Sequence, residues 1–370
     1  MTDSPSPSPS PSPSPSPSPS PSSAASPAHS PNQSPLLAGP STPKKVLVTG
    51  ATGFLGNWLV KRLVRDGHHV RILKRASTPL EDLDSLQIEV AIGDVTHPES
   101  VEKACVGIDT VFHLAGLIAY SRSQRDAMDK VNIGGTANVL QACEKNRVRR
   151  LIYLSSVVAI GASFDGKPMN EESDYNVAHL NLGYFETKHL AEALVKHAVD
   201  AGKIDAVMIN PSTIYGPGDS KKGSRGVQLK VARGKFPFYP SGGVNIVSVD
   251  DVVDCIVAAW ERGRTGERYI VSGENLLIHE AFDLIAKAAG VKAPTLALPN
   301  ALIHLIGKIG DTMERFGKKG PLTSENAWTS TLYHWFDSSK AQREFGFKPK
   351  SAAFAIEQSV KWSRENGLLT

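Results

Sequence analysis

The sequence predicts a doubly wound α/β fold: a parallel sheet covered by helices on both faces, followed by a smaller C-terminal lobe. Three observations carry this. The run Lys45-Val46-Leu47-Val48-Thr49 leads into Gly50, Gly53 and Gly56, and an amphipathic pattern through Trp58, Leu59, Leu63 and Val64 follows. That is the strand, turn and helix setting of a phosphate-binding loop. Short β-branched runs then alternate with helical patterns as far as Pro217, the rhythm of parallel strands joined by crossover helices. Finally, no stretch approaches the roughly 20 uninterrupted apolar residues of a membrane span.

Residues 1–43 stand apart. Ser and Pro alternate from Ser4 to Ser22, and more than half of the chain's 25 prolines precede Lys44. Such a segment has little to bury and lacks donors at every proline, so a disordered, polyproline-II-leaning tail is expected. No apolar run follows a basic start, so a signal peptide is not expected. The net charge of +4 is too weak an excess to argue for nucleic acid. Cys105, Cys143 and Cys255 lie far apart without metal-ligand spacing. A reducing compartment, the cytoplasm, and no bound metal are the natural inferences. Residues 44–216 read as a dinucleotide-binding domain of the Rossmann kind. Residues 217–370 read mainly as a substrate lobe, with strands 244–248 and 267–271 partly returning to the main domain.

Each element has a reason. Gly50 turns the chain off the first strand, Gly53 lets a pyrophosphate approach the backbone, and Gly56 brings helix and sheet together. Thr52, Phe54 and Leu55 complete the loop, whose N–H groups and helix dipole favour phosphate. Gly67 ends that helix, and His69 to Leu73 is the second strand. An acid after this strand would bind the ribose hydroxyls of NAD(H). Lys74 and Arg75 stand there instead and suit a 2′-phosphate, so NADP(H) is preferred and NAD(H) is the alternative. The third strand, Ile88 to Asp94, brings Asp94 and the following Val95 toward the adenine. The fourth, from Val111, breaks into the turn Leu114-Ala115-Gly116 against the cofactor. One long helix is expected from about Ser123 to Asn146, with Gly134-Gly135 inside it requiring close packing or a ligand. The fifth strand, Arg150 to Ser156, delivers two hydroxyls. The sixth, Ala206 to Ile209, runs into Asn210-Pro211-Ser212-Thr213. Asn245 to Asp251 reads as a strand entering a helix capped by one of its aspartates. Helical pieces from Ala301, Ser324 and Ser351 complete the lobe. Ala301 to Ile309 is apolar enough for a lipid surface, though a lid or ordinary core fits it better.

Tyr184 and Lys188 share one face at the start of a helix. An ammonium one turn from a phenol is expected to lower its pKa toward neutrality. Such a tyrosine exchanges a proton with a carbonyl or alcohol oxygen while Ser156 steers the same oxygen.

The ordered set Thr-Gly-Ala-Thr-Gly-Phe-Leu-Gly, Gly-Asp, His-Leu-Ala-Gly, Val-Asn-Ile-Gly-Gly-Thr, Leu-Ser-Ser and Tyr-x-x-x-Lys resembles the extended short-chain dehydrogenase/reductases. Val70 to Arg75, Asn210 to Thr213 and Asn245 to Asp251 are similar to the dihydroflavonol 4-reductase-like branch, which includes hopanoid-associated sugar epimerases. The resemblance covers Lys44 to the C-terminus. It implies a triad of Ser156, Tyr184 and Lys188, a proton relay through Asn132, adenine contact by Asp94, and a nicotinamide pocket lined by Asn210, Pro211, Ser212 and Thr213. Sugar dehydratases carry a Thr-Asp-Glu trio where this chain has Val157-Val158-Ala159-Ile160, so water elimination is not expected. The expected activity is NADP(H)-dependent interconversion of a secondary alcohol and a ketone on a small-molecule substrate. An NAD(P)-dependent nucleotide-sugar epimerase is the alternative, and a non-catalytic scaffold the third reading. The pocket should lie between the nucleotide domain and segments 217–243 and 295–335, with Phe236, Phe238 and Tyr239 supplying apolar surface. A homodimer is compatible with the sequence.

Overall fold

Val46, Leu47 and Val48 of β1 (Lys45–Thr49) are completely buried, because β1 lies inside a sheet covered on both faces. Helix α1 (Phe54–Arg65) leads to β2 (His69–Lys74) and β3 (Glu89–Ile92), then α2 (Pro98–Cys105) and β4 (Thr110–His113). Next come α3 (Arg125–Met128), α4 (Gly135–Lys145), β5 (Arg150–Leu154), α5 (Gly183–Asp200), β6 (Ala206–Pro211) and β7 (Thr213–Tyr215). The C-terminal portion holds α6 (Gly223–Ala232), β8 (Phe238–Tyr239), β9 (Gly243–Ser248), α7 (Val249–Arg262), β10 (Arg268–Val271), β11 (Glu274–Leu277) and α8 (Ile278–Ala289). It ends with β12 (Leu296–Ala297), α9 (Asn300–Arg315), α10 (Ser324–Thr331), α11 (Ser339–Phe345) and α12 (Ala352–Glu365). This computed structural model describes residues 42–219, 223–318 and 320–369, the side chains of 223–225 excepted. The Ser-Pro tail and its expected disorder lie outside the described residues.

Seven parallel strands run in the order β10-β6-β5-β4-β1-β2-β3. The order reverses between β1 and β4, so their carboxyl ends open a crevice where ligands of such sheets bind. Alternation along β1 divides the core: Val46 and Val48 pack beneath α1 and α7, while Leu47 packs with Val139 of α4 and Val195 of α5. Of the two strands expected to return, 267–271 joins this sheet as β10. Residues 244–248 instead lie in β9 of a separate sheet ordered β11-β9-β7.

Two expectations need correction. The long helix is interrupted: α3 passes into a π-helical turn over Asp129–Gly134 before α4 begins. Close packing explains Gly135, where a Cβ would sit 2.9 Å from Val95 Cγ2. Helix α7 begins at Val249 with Ser248 at its cap position, and Asp250 and Asp251 fall inside its first turn. Both acids pair with Lys350, which draws them toward the C-terminal segment rather than onto the cap.

Gly56 allows α1 to touch the end of β1, since a Cβ there would lie 2.1 Å from the Gly50 carbonyl oxygen. Gly56→Ala is therefore expected to cost about 1–3 kcal/mol through overpacking. A lowered denaturant midpoint checks this; an unchanged midpoint contradicts it.

Candidate active site

The crevice at the ends of β1 and β4 opens into a cavity of about 1690 Å³. Its floor is the glycine loop. Gly50 takes φ +71°, and its α-carbon faces the Leu114–Ala115 backbone so closely that a Cβ would lie 2.7 Å from Ala115 N. Helix α1 has no acidic residue in its first turn and no side chain capping it. Its leading N–H groups and positive dipole end therefore suit an anionic oxygen, and this uncapped, Cβ-free cradle fits a dinucleotide pyrophosphate.

The side chains expected to be catalytic come from the end of β5 and from α5. Strand β5 stops at Leu154, and Ser155 and Ser156 continue it to the cavity wall. Tyr184 lies on the first turn of α5 and lines the same cavity as Ser156. Burial pushes the phenol above its ordinary pKa, the nearby Tyr120 adds to this, and Ser156 pulls back. The expected depression by Lys188 is not found, because burial dominates and the ammonium is engaged elsewhere. Lys188 Nζ donates to the Leu154 carbonyl at 2.7 Å and lies 5.0 Å from the Tyr153 ring centroid. Burial brings its pKa down to about 8, with the Glu192 carboxylate one turn along resisting.

A buried network that the sequence reading missed supports these groups. Asn210 Nδ2 donates to the Ser156 carbonyl at 3.0 Å and to Glu192 Oε2 at 2.6 Å, while Arg268 reaches Glu192 Oε1 at 3.3 Å. Glu192 was visible at helical spacing after Lys188, but Arg268 comes from distant β10. The buried carboxylate of Glu325, from α10, accepts from Gly183 N at 3.2 Å and so caps α5 just before Tyr184. No local signal announces that cap. A second chain runs through His113: Nδ1 meets Thr49 Oγ1 at 2.7 Å and Nε2 meets Thr136 Oγ1 at 3.2 Å. Thr136 gives its own hydrogen to the Asn132 carbonyl at 2.6 Å, so the imidazole donates from Nε2 and accepts at Nδ1. Burial, then Lys188, brings the His113 pKa down to about 3, consistent with this neutral form.

The expected site residues divide into three groups. Gly50, Thr52, Gly53, Phe54, Leu55, Gly56, Leu114, Gly116, Ser156, Tyr184, Pro211, Ser212 and Thr213 line the cavity. Asn132, Lys188 and Asn210 are buried behind it. Asn210 therefore does not line a pocket; its side chain faces Glu192. Asn132 is likewise a clamp rather than a free relay. Its amide hydrogens go to the Leu117 carbonyl and Thr187 Oγ1, and its oxygen accepts from Leu117 N. Lys74, Arg75, Asp94, Val95 and Ala115 lie outside the lining. Arg75 is exposed beyond β2. Partial burial pushes the Asp94 carboxyl up, but bonds from Thr96 and the charge of Arg75 hold it below the usual range. Both expected segments, 217–243 and 295–335, supply cavity walls, Phe236, Phe238 and Tyr239 among them. Val157 and Val158, from the stretch without proton-transfer groups, line the cavity.

Residues 47–280 match the model of the 3-beta hydroxysteroid dehydrogenase/isomerase family. A dihydroflavonol 4-reductase-like protein of Synechocystis sp. is 31% identical, covering 86% of this chain and 94% of its own. The sterol demethylase protein B of Methylococcus capsulatus is also 31% identical, covering 87% and 99%. The crystal structure of gox2253 is similar with a TM-score of 0.80 at 32% identity, covering 88% of this chain and 100% of its own.

Glu192→Gln removes the charge that keeps Lys188 protonated against burial. The lysine should then lose its proton at lower pH, moving the alkaline limb of activity down by about one pH unit. A pH–rate profile tests this, and an unmoved limb in a folded variant separates Glu192 from Lys188.

Proposed function

The chain belongs to the 3-beta hydroxysteroid dehydrogenase/isomerase family, and from that premise we propose an NADP(H)-dependent oxidoreductase that reduces a bulky, largely apolar ketone to a secondary alcohol. The observation carrying this reading is that Ser156 and Tyr184 share the wall of a cavity that begins at the glycine loop and continues under apolar residues of the C-terminal portion. Ile118, Phe236, Phe282 and Ile306 are among those walls, and Lys318 is the one cationic lining residue among the described residues.

The loop N–H groups would hold the cofactor's pyrophosphate, Lys74 and Arg75 its 2′-phosphate, and Lys188 the nicotinamide ribose. When bound, the nicotinamide supplies or receives hydride. In this reading Ser156 donates a hydrogen bond to the substrate oxygen and fixes its position. Tyr184 then delivers its proton to that oxygen as negative charge develops there. Burial raises the Tyr184 pKa, so the side chain is a neutral phenol at neutral pH and carries the proton this role requires. Glu192 and Asn210 hold the backbone that carries Ser156, and the apolar walls exclude water.

Tyr184→Phe should lower turnover of a ketone panel by about 10²-fold or more while fluorescence titration still shows NADPH binding; unchanged turnover removes Tyr184 from this role. Arg75→Asp should shift kcat/KM toward NADH, and an unaltered preference contradicts the assignment of the 2′-phosphate. A tightly retained, non-exchanging dinucleotide together with sugar-nucleotide epimerisation would replace the reading.

A further inference from the structure

Helix α9 has two apolar faces, and the cavity accounts for only one. Ile303 and Ile306 point inward and line the cavity. On the other side Leu302, Leu305, Ile309 and Phe316 are 42%, 54%, 49% and 78% exposed. Their spacing gathers them into one stripe along the helix and its immediate C-terminal extension. An isolated exposed leucine needs no explanation, but a row of four large apolar side chains does.

The charges on this helix are sorted by face. Its acids are engaged inward: Asp311 accepts from Ser324 N at 3.0 Å, and Glu314 accepts from Ser123 Oγ at 2.7 Å. Its cations, Lys308 and Arg315, are exposed along the edge of the apolar stripe. Among the described residues no ion pair engages these two. Apolar side chains bordered by cations, on a helix too short and too polar to span a bilayer, are the features of a helix lying in a lipid interface. Strand β12, which leads into α9, extends the apolar surface through Leu296, 55% exposed.

We propose that the outer face of α9 docks the protein onto an anionic lipid surface, placing the roof of the cavity against the bilayer. The apolar stripe enters the acyl boundary while Lys308 and Arg315 meet anionic headgroups. Charge sorting favours this occupant over a second copy of the chain. An antiparallel two-fold contact through the same stripe would bring the basic edges toward each other. The inference rests on the exposed face and holds whichever substrate occupies the cavity.

The test is co-sedimentation of the full-length protein with vesicles of phosphatidylcholine alone or with about one third phosphatidylglycerol. Preferential binding to the anionic vesicles, weakened by salt, is expected. Leu305→Glu/Ile309→Glu should lower the partition coefficient about tenfold or more. Lys308→Gln/Arg315→Gln should reduce the preference for anionic vesicles while keeping the apolar stripe. Thermal melts and light scattering accompany each variant, and the substituted side chains are exposed. No vesicle binding, or equal binding by a folded Leu305→Glu/Ile309→Glu variant, overturns the proposal. A wild-type dimer that the same variant converts to monomer, without vesicle binding, assigns the face to a second copy instead.

Discussion

A lysine ammonium held almost out of reach of water constrains the surrounding structure. A buried charge costs several kcal/mol unless oxygen acceptors and opposite charges compensate it. Lys188, 6% exposed, has the Leu154 carbonyl at 2.7 Å, the Tyr153 ring beneath it and Glu192 one turn along α5. Those partners come from adjacent β5 and from the same helix, so α5 must pack closely on the sheet for Lys188 to be tolerated. Glu192 is itself fixed by Asn210 and Arg268, and Asn210 also holds the Ser156 carbonyl. The supports of the serine and the lysine are therefore coupled: disturbing one disturbs the other.

What was legible in the sequence was what short-range chemistry determines. The glycine loop could be read because its strand, turn and helix are consecutive, and Tyr184 and Lys188 because helical spacing puts them on one face. The parallel sheet followed from alternating patterns. Features made by distant segments were not legible. The π turn at Asp129–Gly134 adjoins a helix whose Gly135 packs against Val95, a contact no local pattern contains. Glu325 caps α5 from far along the chain. Asn210 was expected in the pocket because its neighbours are there, but its side chain belongs to the buried Glu192 network. The phenol pKa was misjudged for a related reason: spacing reveals a nearby lysine, whereas burial, the larger effect, appears only once the fold encloses Tyr184.

The sheet edge and the C-terminal portion contribute differently to the cavity. The edge supplies the glycine cradle and the Ser156, Tyr184 and Lys188 side chains, whose positions are fixed by strands and by α5. The C-terminal portion supplies mostly apolar wall, carried by short strands and α9. Such a wall can change shape and size between relatives without disturbing Lys188 or the glycine loop. This division explains why the motifs identify the chemistry more readily than the substrate.

Hydride transfer into substrate is the central claim, and isotope tracing addresses it directly. The protein would be given NADPH carrying deuterium at nicotinamide C4 together with an apolar ketone, and the alcohol would be examined by NMR and mass spectrometry. The account predicts deuterium on the carbinol carbon. Deuterium remaining entirely with the cofactor, while a sugar nucleotide offered in place of the ketone inverts at one carbon, would contradict it.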